Sequence, residues 1–286
     1  MRSQRPVCFT LGGGSVLAGP LVGMLTALAE AKVVPDVIVG ASAGAQLGGI
    51  FAARPDLEGA AAAHEYWTEL LCSPRISASF SLSALRLASP SIQTDTRKAM
   101  RAALTRHLAA STFEDLAVPL QIPVVEVPRL RRHWFSSGPL LEPLLAASSA
   151  PGLVAPTTIG ARAYIDGGVT TPAPVRKAVQ LQAATVYVLT PVGAQRPTGL
   201  MRGLAGQGAL FTAYRSLIDR SLKQVPDHVE VHVLPVGEDE EFSVRLMAGL
   251  TLRQLRAAAQ KQIEDAYVMT TAYLKDGEHH GGGERQ

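Results

Sequence analysis

The stretch Val37-Ile38-Val39-Gly40-Ala41-Ser42-Ala43-Gly44 joins a short apolar run to an alanine-rich segment. An apolar run without alternation is typical of a parallel strand that is covered on both faces. The alanine-rich segment, residues 43–53, has helical character and ends near Arg54-Pro55, because a residue before proline disfavours helical backbone. This part of the chain therefore predicts a strand that turns directly into a helix.

The same order of elements precedes this stretch. Val7 to Leu11 is apolar or β-favouring, a glycine loop follows, and residues 17–31 carry leucines at helical spacing. Two strands with a helix between them form a crossover unit, which is the connection that parallel strands need. We therefore expect an α/β fold with three layers, α/β/α, around a mainly parallel central sheet.

The remaining chain continues this pattern without an internal repeat. Further strands are predicted at 121–127, 185–190 and 229–234. Helical spacing predicts helices over 93–110 and 243–274, and the proline-flanked stretch 73–92 predicts a loop with short helical pieces. Because no boundary is evident, we expect one domain over residues 1–275 and a flexible tail over residues 276–286.

The composition argues against several classes of protein. The chain has 286 residues, 47% of them hydrophobic and 18% charged, which is too apolar for disorder. Two cysteines, Cys8 and Cys72, cannot build the cystine framework of a secreted protein, so we expect a reducing, cytoplasmic compartment. A net charge of +3 and 5% aromatic residues give no argument for binding nucleic acid.

Residues 6–29 carry no charge and are long enough to cross a bilayer as a helix. Three successive glycines, Gly12 to Gly14, and then Gly19-Pro20 would interrupt that helix where lipid offers no other hydrogen-bond partner. A secretory signal is an alternative, since Ala27-Leu28-Ala29 resembles a cleavage site. We favour the strand, loop and helix, which account for more of the residues.

The segment Gly40-Ala41-Ser42-Ala43-Gly44 has the form G-x-S-x-G. A serine at a sharp strand-to-helix turn is held in a strained conformation that projects its hydroxyl, and Gly40 and Gly44 leave room around it. The N-terminus of the following helix favours negative charge at the serine oxygen. The pattern predicts that Ser42 is a nucleophile, although these small residues also form ordinary tight turns.

The first predicted strand ends in a loop of three glycines, Gly12, Gly13 and Gly14. Their backbone N–H groups would lie beside the same end of the sheet as Ser42, where they could stabilise an oxyanion. Phosphate binding is the alternative for such a loop, but the chain has no G-x-x-x-x-G-K-[ST] or G-x-G-x-x-G pattern at this place. We therefore favour an oxyanion site.

A serine hydroxyl needs a base that takes its proton. None of the seven histidines lies in a setting that marks it as catalytic. In Ala163-Tyr164-Ile165-Asp166-Gly167-Gly168, an apolar strand ends in an acidic residue, and Gly167 and Gly168 allow another segment to approach it. Asp166 is therefore the better candidate for the base, with an ordinary Asp-Gly turn as the alternative.

Taken together, these motifs resemble the patatin-like phospholipase family, over roughly residues 7–190. The matching features are the Gly12-Gly13-Gly14 loop, Gly40-Ala41-Ser42-Ala43-Gly44, Ala147-Ser148-Ser149-Ala150-Pro151-Gly152, and Asp166-Gly167-Gly168 followed by Pro172 and Pro174. The resemblance implies lipid acyl-ester hydrolysis, with Ser42 as nucleophile and Asp166 as base. It also implies that Gly12, Gly13 and Gly14 supply oxyanion N–H groups and that no metal or cofactor takes part.

The partners implied by the resemblance are a lipid or ester substrate, with peripheral contact to a membrane surface allowed. The basic helix over residues 93–110 could make such a contact, although a solvated face is the simpler interpretation. One departure is that the family commonly has a basic residue soon after the glycine run, where this chain has Ser15-Val16-Leu17-Ala18.

Two alternatives stay open at this point. A catalytically weak or inactive lipid-binding or scaffold protein would keep the same fold with an altered glycine loop. A histidine-dependent esterase of the α/β-hydrolase type would use His232, which follows Asp166 in the chain order that this fold requires.

Overall fold

A computed structural model describes residues 6–14, 17–73, 89–191, 207–236 and 252–280. Within these ranges the helices are α1 Gly19–Glu30, α2 Ala43–Ala53, α3 Leu57–Cys72, α4 Pro90–His107, α5 Leu141–Ala147, α6 Val175–Gln180, α7 Gln207–Leu222 and α8 Leu252–His280. The strands are β1 Val7–Leu11, β2 Val37–Gly40, β3 Leu120–Val127, β4 Arg131–Phe135, β5 Thr157–Ile159, β6 Arg162–Asp166, β7 Thr185–Leu189 and β8 Glu230–Val233.

The strands form one sheet in the order β5-β6-β3-β2-β1-β7-β8, with β4 also paired to β3. Strands β3, β2, β1, β7 and β8 run parallel to their neighbours in that order. Strands β4 and β6 pair antiparallel with β3, and β5 pairs antiparallel with β6. Strand β1 thus lies at the centre of the parallel part of the sheet, and the pairing becomes antiparallel beyond β3.

Helices cover both faces of the sheet. Because side chains alternate along a strand, Phe9 and Leu11 of β1 face a core that is completed by α1 to α5 and α8, whereas Cys8 faces the opposite side. On that opposite side, α6 contributes Val175 and Ala178 to a second core, and α7 contributes Ile218. The expected three-layer α/β/α fold with a mostly parallel sheet is confirmed.

The uncharged stretch over residues 6–29 is divided between two elements. Its first part is β1, every residue of which pairs with β7, and its last part lies in α1. Helix α1 is buried along most of its length, including Leu21, Leu25 and Leu28, because it packs between the sheet and α8. Across the described ranges, the structure has no helix with the length and hydrophobicity of a membrane span.

Two short strands were not expected from the sequence. Strand β4 carries three basic residues among its five, Arg131 to His133, and is exposed along most of its length, so it has no apolar alternation. Strand β5 has only three residues. Both are defined by their pairing with longer strands, β3 and β6, which a local pattern does not reveal.

The flexible tail expected over residues 276–286 stays a prediction, since α8 continues to His280 and residues 281–286 lie outside the described ranges. The helix proposed from residue 243 begins at Leu252 in the structure, and residues 237–251 lie outside the described ranges. Most of the loop proposed for residues 73–92 also lies outside them, and α4 begins at Pro90.

The basic side chains of α4 are engaged by the protein itself. Arg97 donates to the carbonyl of Pro156, Arg101 pairs with Glu142, and Arg106 pairs with Glu69. His107 also bonds to Glu69, at 2.9 Å. These contacts agree with the simpler interpretation of the helix, in which its charges stabilise the surface.

Candidate active site

Ser42 lies at the carboxyl end of β2, between Gly40 and the first residue of α2, Ala43. Its backbone has φ 56° and ψ −130°, a conformation that costs energy for a residue with a Cβ. The strand-to-helix turn therefore holds the serine in the strained geometry expected from G-x-S-x-G. This conformation lifts the side chain out of the sheet at the end where β1, β2 and β7 also end.

The two flanking glycines are needed because backbone segments approach them closely. A Cβ on Gly40 would lie 2.6 Å from the carbonyl oxygen of Gly44. A Cβ on Gly44 would lie 2.5 Å from the carbonyl oxygen of Leu11, at the end of β1. Helix α2 therefore starts directly against the first strand, which a larger residue at either position would prevent.

Asp166 ends β6, where it pairs with Val124 of β3, and its side chain is 4% exposed. Its Oδ1 accepts a hydrogen bond of 2.7 Å from the N–H of Gly168. Its own N–H donates to the carbonyl of Ser149 at 3.1 Å, and the Ser149 hydroxyl donates to the carbonyl of Leu145 at 2.9 Å. The Ala147 to Gly152 motif thus anchors the backbone of Asp166.

The structure brings the side chains of Ser42 and Asp166 together beside Gly168. A Cβ on Gly168 would lie 3.0 Å from Asp166 Oδ1 and 3.4 Å from the Cβ of Ser42. Burial raises the pKa of Asp166 from 3.8 to about 6, while the hydrogen bonds from Ser42 and from the Gly168 N–H oppose this rise. A carboxylate with a pKa near 6 is a better proton acceptor than one in water and is still mostly ionised at pH 7. The pair therefore has the arrangement of a nucleophile and its base.

The glycine loop lies beside Ser42, but two of its N–H groups have backbone partners. A Cβ on Gly13 would lie 2.6 Å from the Cβ of Ser42. The N–H of Gly12 donates to the carbonyl of Leu189 at 2.8 Å, and the N–H of Gly13 donates to the carbonyl of Pro172 at 3.1 Å. These two N–H groups therefore hold the loop in place in this structure, and the oxyanion role expected for Gly12 and Gly13 stays a prediction.

Two other N–H groups are available, one on the glycine loop and one directly after the serine. In the described part of the chain, no backbone carbonyl accepts from the N–H of Gly14 or from that of Ala43. Ala43 is the first residue of α2, where N–H groups have no partner within the helix. Gly14, on the glycine loop, was anticipated from the sequence, and Ala43 was not.

Tyr214 of α7 is a further residue of the site that sequence reasoning missed. Its hydroxyl donates toward the carbonyl of Gly13 and also lies 3.0 Å from the carbonyl of Pro172. Burial and the negative charge of Asp166 both raise the pKa of the phenol. No local motif marks this tyrosine, because the residue that it contacts in the glycine loop lies 201 positions earlier in the chain.

The histidine alternative is not supported by the position of His232. This residue lies within β8, where its ring stacks on Tyr187 at 4.7 Å between centroids. Its Nδ1 lies 2.9 Å from the hydroxyl of Tyr273, and its Nε2 lies 3.2 Å from Glu230. In the described ranges, His, Cys, Asp and Glu side chains form no cluster of three that could hold a metal ion.

The fold and the site together define an α/β/α protein with a strained serine at a strand-to-helix turn and a buried carboxylate as its partner. The model of the family described as patatin-like phospholipase matches residues 9–179, which is more than half of the chain. The chain therefore belongs to the patatin-like phospholipase family. The matched region contains the glycine loop, Ser42 and Asp166, but not α7 or α8.

Among curated proteins, the chain is 27% identical over 236 residues to an uncharacterized NTE family protein of Mycobacterium tuberculosis, covering 76% of this chain and 61% of that protein. It is also 27% identical over 164 residues to the lysophospholipase nte1 of Emericella nidulans, covering 57% of this chain and 10% of that protein. The chain thus spans about three fifths of the length of the mycobacterial relative, and a much smaller share of the fungal one.

Among solved structures, VipD from Legionella pneumophila matches with a TM-score of 0.50 and 12% sequence identity. The match covers 95% of this chain and 67% of VipD. At this identity, the likeness concerns the fold alone. It extends beyond the region that the family model matches.

Proposed function

We propose that this protein hydrolyses fatty-acyl esters of lipids through an acyl-enzyme on Ser42, with Asp166 as the general base. The observation that carries the proposal is the position of a strained Ser42 and a buried Asp166 side by side at Gly168, with the pKa of Asp166 raised to about 6. Membership of the patatin-like phospholipase family supports a lipid as the substrate class.

In the first step, the Asp166 carboxylate accepts the hydroxyl proton as Ser42 Oγ attacks the ester carbonyl. The tetrahedral intermediate collapses to the acyl-enzyme, and the protonated Asp166 donates its proton to the departing alcohol. In the second step, Asp166 takes a proton from water, and the hydroxide attacks the acyl-enzyme. This releases the fatty acid and returns the proton to Ser42.

The negative charge of the intermediate needs hydrogen-bond donors near the serine. We assign this role to the N–H groups of Gly14 and Ala43, which have no backbone acceptor in the described ranges. They come from the glycine loop, in which Gly13 adjoins the Cβ of Ser42, and from the start of α2, directly after Ser42. Loss of one such donor typically raises the barrier by about 2.7 to 4 kcal/mol.

The test compares wild type with Ser42→Ala and Asp166→Asn on p-nitrophenyl esters of increasing chain length and on phospholipid vesicles, with a chelator present. Both variants should lose at least about a thousandfold in kcat, because a serine and its base act as one unit. The exposed residues Ser137 and Asp227 provide the controls Ser137→Ala and Asp227→Asn, which should retain full activity. Undiminished turnover in folded Asp166→Asn would exclude the carboxylate as base.

A catalytically weak lipid-binding protein is the second candidate. It is favoured by the use of the Gly12 and Gly13 N–H groups within the backbone, which leaves fewer donors for an oxyanion. A fluorophosphonate probe separates the two candidates, because it reacts with an activated serine. Labelling that disappears in Ser42→Ala supports the hydrolase, whereas vesicle binding without labelling supports the second candidate.

A further inference from the structure

On the face of the sheet that α6 and α7 cover, the structure has a pocket of about 330 Å³. Strand β4 contributes Arg132 and Trp134, α6 contributes Arg176 and Lys177, and α7 contributes Arg220. Neutral donors, among them Thr170 and Thr171, complete the wall. We call this cavity the basic pocket.

The positive charge of the basic pocket is not balanced by its own wall. None of the described residues that line it carries a carboxylate. Within the described ranges, Arg132, Arg176 and Arg220 form no ion pair, whereas Arg101 and Arg106 on α4 each pair with a glutamate. Cations that converge from three elements repel one another, and a bound anion would relieve that repulsion.

The kind of anion follows from the number and type of donors. A carboxylate offers two oxygens and is satisfied by one guanidinium, whereas a phosphate monoester offers three oxygens and up to two negative charges. Guanidinium groups from β4, α6 and α7 match such a group, and Lys177 adds an ammonium that lies 4.9 Å from the centre of the Trp134 ring. The volume, about 330 Å³, also leaves room for more than the phosphate.

The basic pocket shares part of its wall with the backbone that holds the glycine loop. Pro172 lines the pocket, and its carbonyl accepts from the N–H of Gly13. Helix α7 likewise contributes Arg220 to the pocket and Tyr214 to the glycine loop. An anion in the pocket would therefore be held by elements that also position the serine site.

We propose that the basic pocket binds a phosphate monoester group, either on a lipid headgroup or on a soluble molecule. The proposal concerns binding alone, so it does not rest on the hydrolysis of esters. It assigns Arg132, Arg176, Lys177 and Arg220 as the cationic ligands of this group.

The first arm of the test titrates the protein with inorganic phosphate against chloride at equal ionic strength, and follows tryptophan fluorescence. Trp134 lines the pocket, whereas the other tryptophan, Trp67, is buried elsewhere. A saturable change is expected in wild type, with at least about tenfold weaker binding in Arg176→Gln/Arg220→Gln. Circular dichroism verifies that the variant is folded.

The matched control is Arg131→Gln. Arg131 precedes Arg132 on the same exposed strand but points to the opposite face, because side chains alternate along β4. Its removal takes away one of the two positive charges that the double variant loses and should leave phosphate binding unchanged. An equal loss of binding in Arg131→Gln would show general charge attraction and would overturn the proposal.

The second arm uses phosphatidylcholine vesicles with and without diether phosphatidic acid, whose ether chains resist ester hydrolysis. Binding that requires phosphatidic acid and Arg176 and Arg220 supports a lipid headgroup as the source. Binding of inorganic phosphate alone, with the same dependence on these arginines, supports a soluble phosphate ester. No saturable response to either probe would overturn the proposal, and the ester hydrolysis by Ser42 would be unaffected by that outcome.

Discussion

Ser42 and Asp166 each carry a feature that opposes folding. Ser42 has a backbone φ of 56°, and Asp166 holds a carboxyl group that is 4% exposed. The surrounding contacts fix both residues, through the close packing around Gly40 and Gly44 and the hydrogen bond from Gly168. Strain and desolvation at one place are typical of sites where they serve reactivity.

The raised pKa of Asp166 predicts the pH dependence of ester hydrolysis. Only the ionised carboxylate can accept the serine proton, and its pKa is about 6. We expect kcat/KM to fall as the pH is lowered through 6, approaching tenfold per pH unit below it. Rates measured from pH 4.5 to pH 8 on an uncharged ester test this, because such a substrate does not titrate itself. A pH-independent rate across this range would contradict the assignment of the base.

The same burial predicts that Asp166→Asn stabilises the fold while it removes activity. The pKa is raised from 3.8 in the unfolded chain to about 6 in the folded one, so the folded state holds the proton more tightly. The Asp166 carboxyl group therefore stabilises the folded state below pH 3.8, where it is protonated. This stabilisation is lost as the pH rises through 6. At pH 7 the cost is about 3 kcal/mol at most.

Urea unfolding of wild type and Asp166→Asn at pH 4 and pH 7 measures this effect. The variant should be the more stable protein at pH 7, by about 1 to 3 kcal/mol, and the difference should shrink at pH 4. The exposed Asp227 provides the control variant Asp227→Asn, in which the difference should be small at both pH values. A variant less stable than wild type at pH 7 would mean that the hydrogen bond with Ser42 outweighs desolvation.

Helix α7 contacts the glycine loop beside Ser42 through Tyr214. The Tyr214 hydroxyl contacts the carbonyls of Gly13 and Pro172. Tyr214→Phe removes these contacts and keeps the ring. We expect kcat to fall roughly tenfold with KM little changed, because the glycine loop beside Ser42 would be less well positioned. The control is Tyr273→Phe, which removes a hydroxyl that bonds to His232. If KM rises and kcat stays constant, the tyrosine acts in substrate binding and does not position the loop.

The elements around Ser42 could be predicted because their signals are local. The apolar run of β2, the glycines of the turn and the alanine-rich α2 are contiguous in the sequence. The hydrogen bonds of the glycine loop could not be predicted, because Gly12 and Gly13 bond to Leu189 and Pro172 from distant segments. A glycine-rich sequence does not reveal whether its N–H groups are free, because their carbonyl partners come from segments that are distant in the chain.

In the described ranges, the larger of the two cores joins the start and the end of the chain, although the family model ends at residue 179. That core includes Phe9 and Leu28 near the start of the chain and Ile263 and Ala266 of α8 near its end. Strands β7 and β8 also extend the same parallel sheet. We therefore expect the single domain proposed for residues 1–275 to unfold in one cooperative transition. A difference between the unfolding midpoints measured by calorimetry and by circular dichroism would contradict a single transition.

The packing of α8 on α1 gives the sharpest test of that cooperativity. A Cβ on Gly23 of α1 would lie 2.1 Å from the carbonyl oxygen of Ile263 and 2.8 Å from the N–H nitrogen of Tyr267. Gly23→Ala should therefore lower the free energy of unfolding by about 2 kcal/mol, even though alanine favours an isolated helix by about 1 kcal/mol. The control is Gly19→Ala in the same helix, whose Cβ would meet its nearest neighbour, Trp67, at 3.4 Å. If α8 is part of the cooperative unit, the whole transition shifts in Gly23→Ala, whereas a new early transition would show that α8 separates by itself.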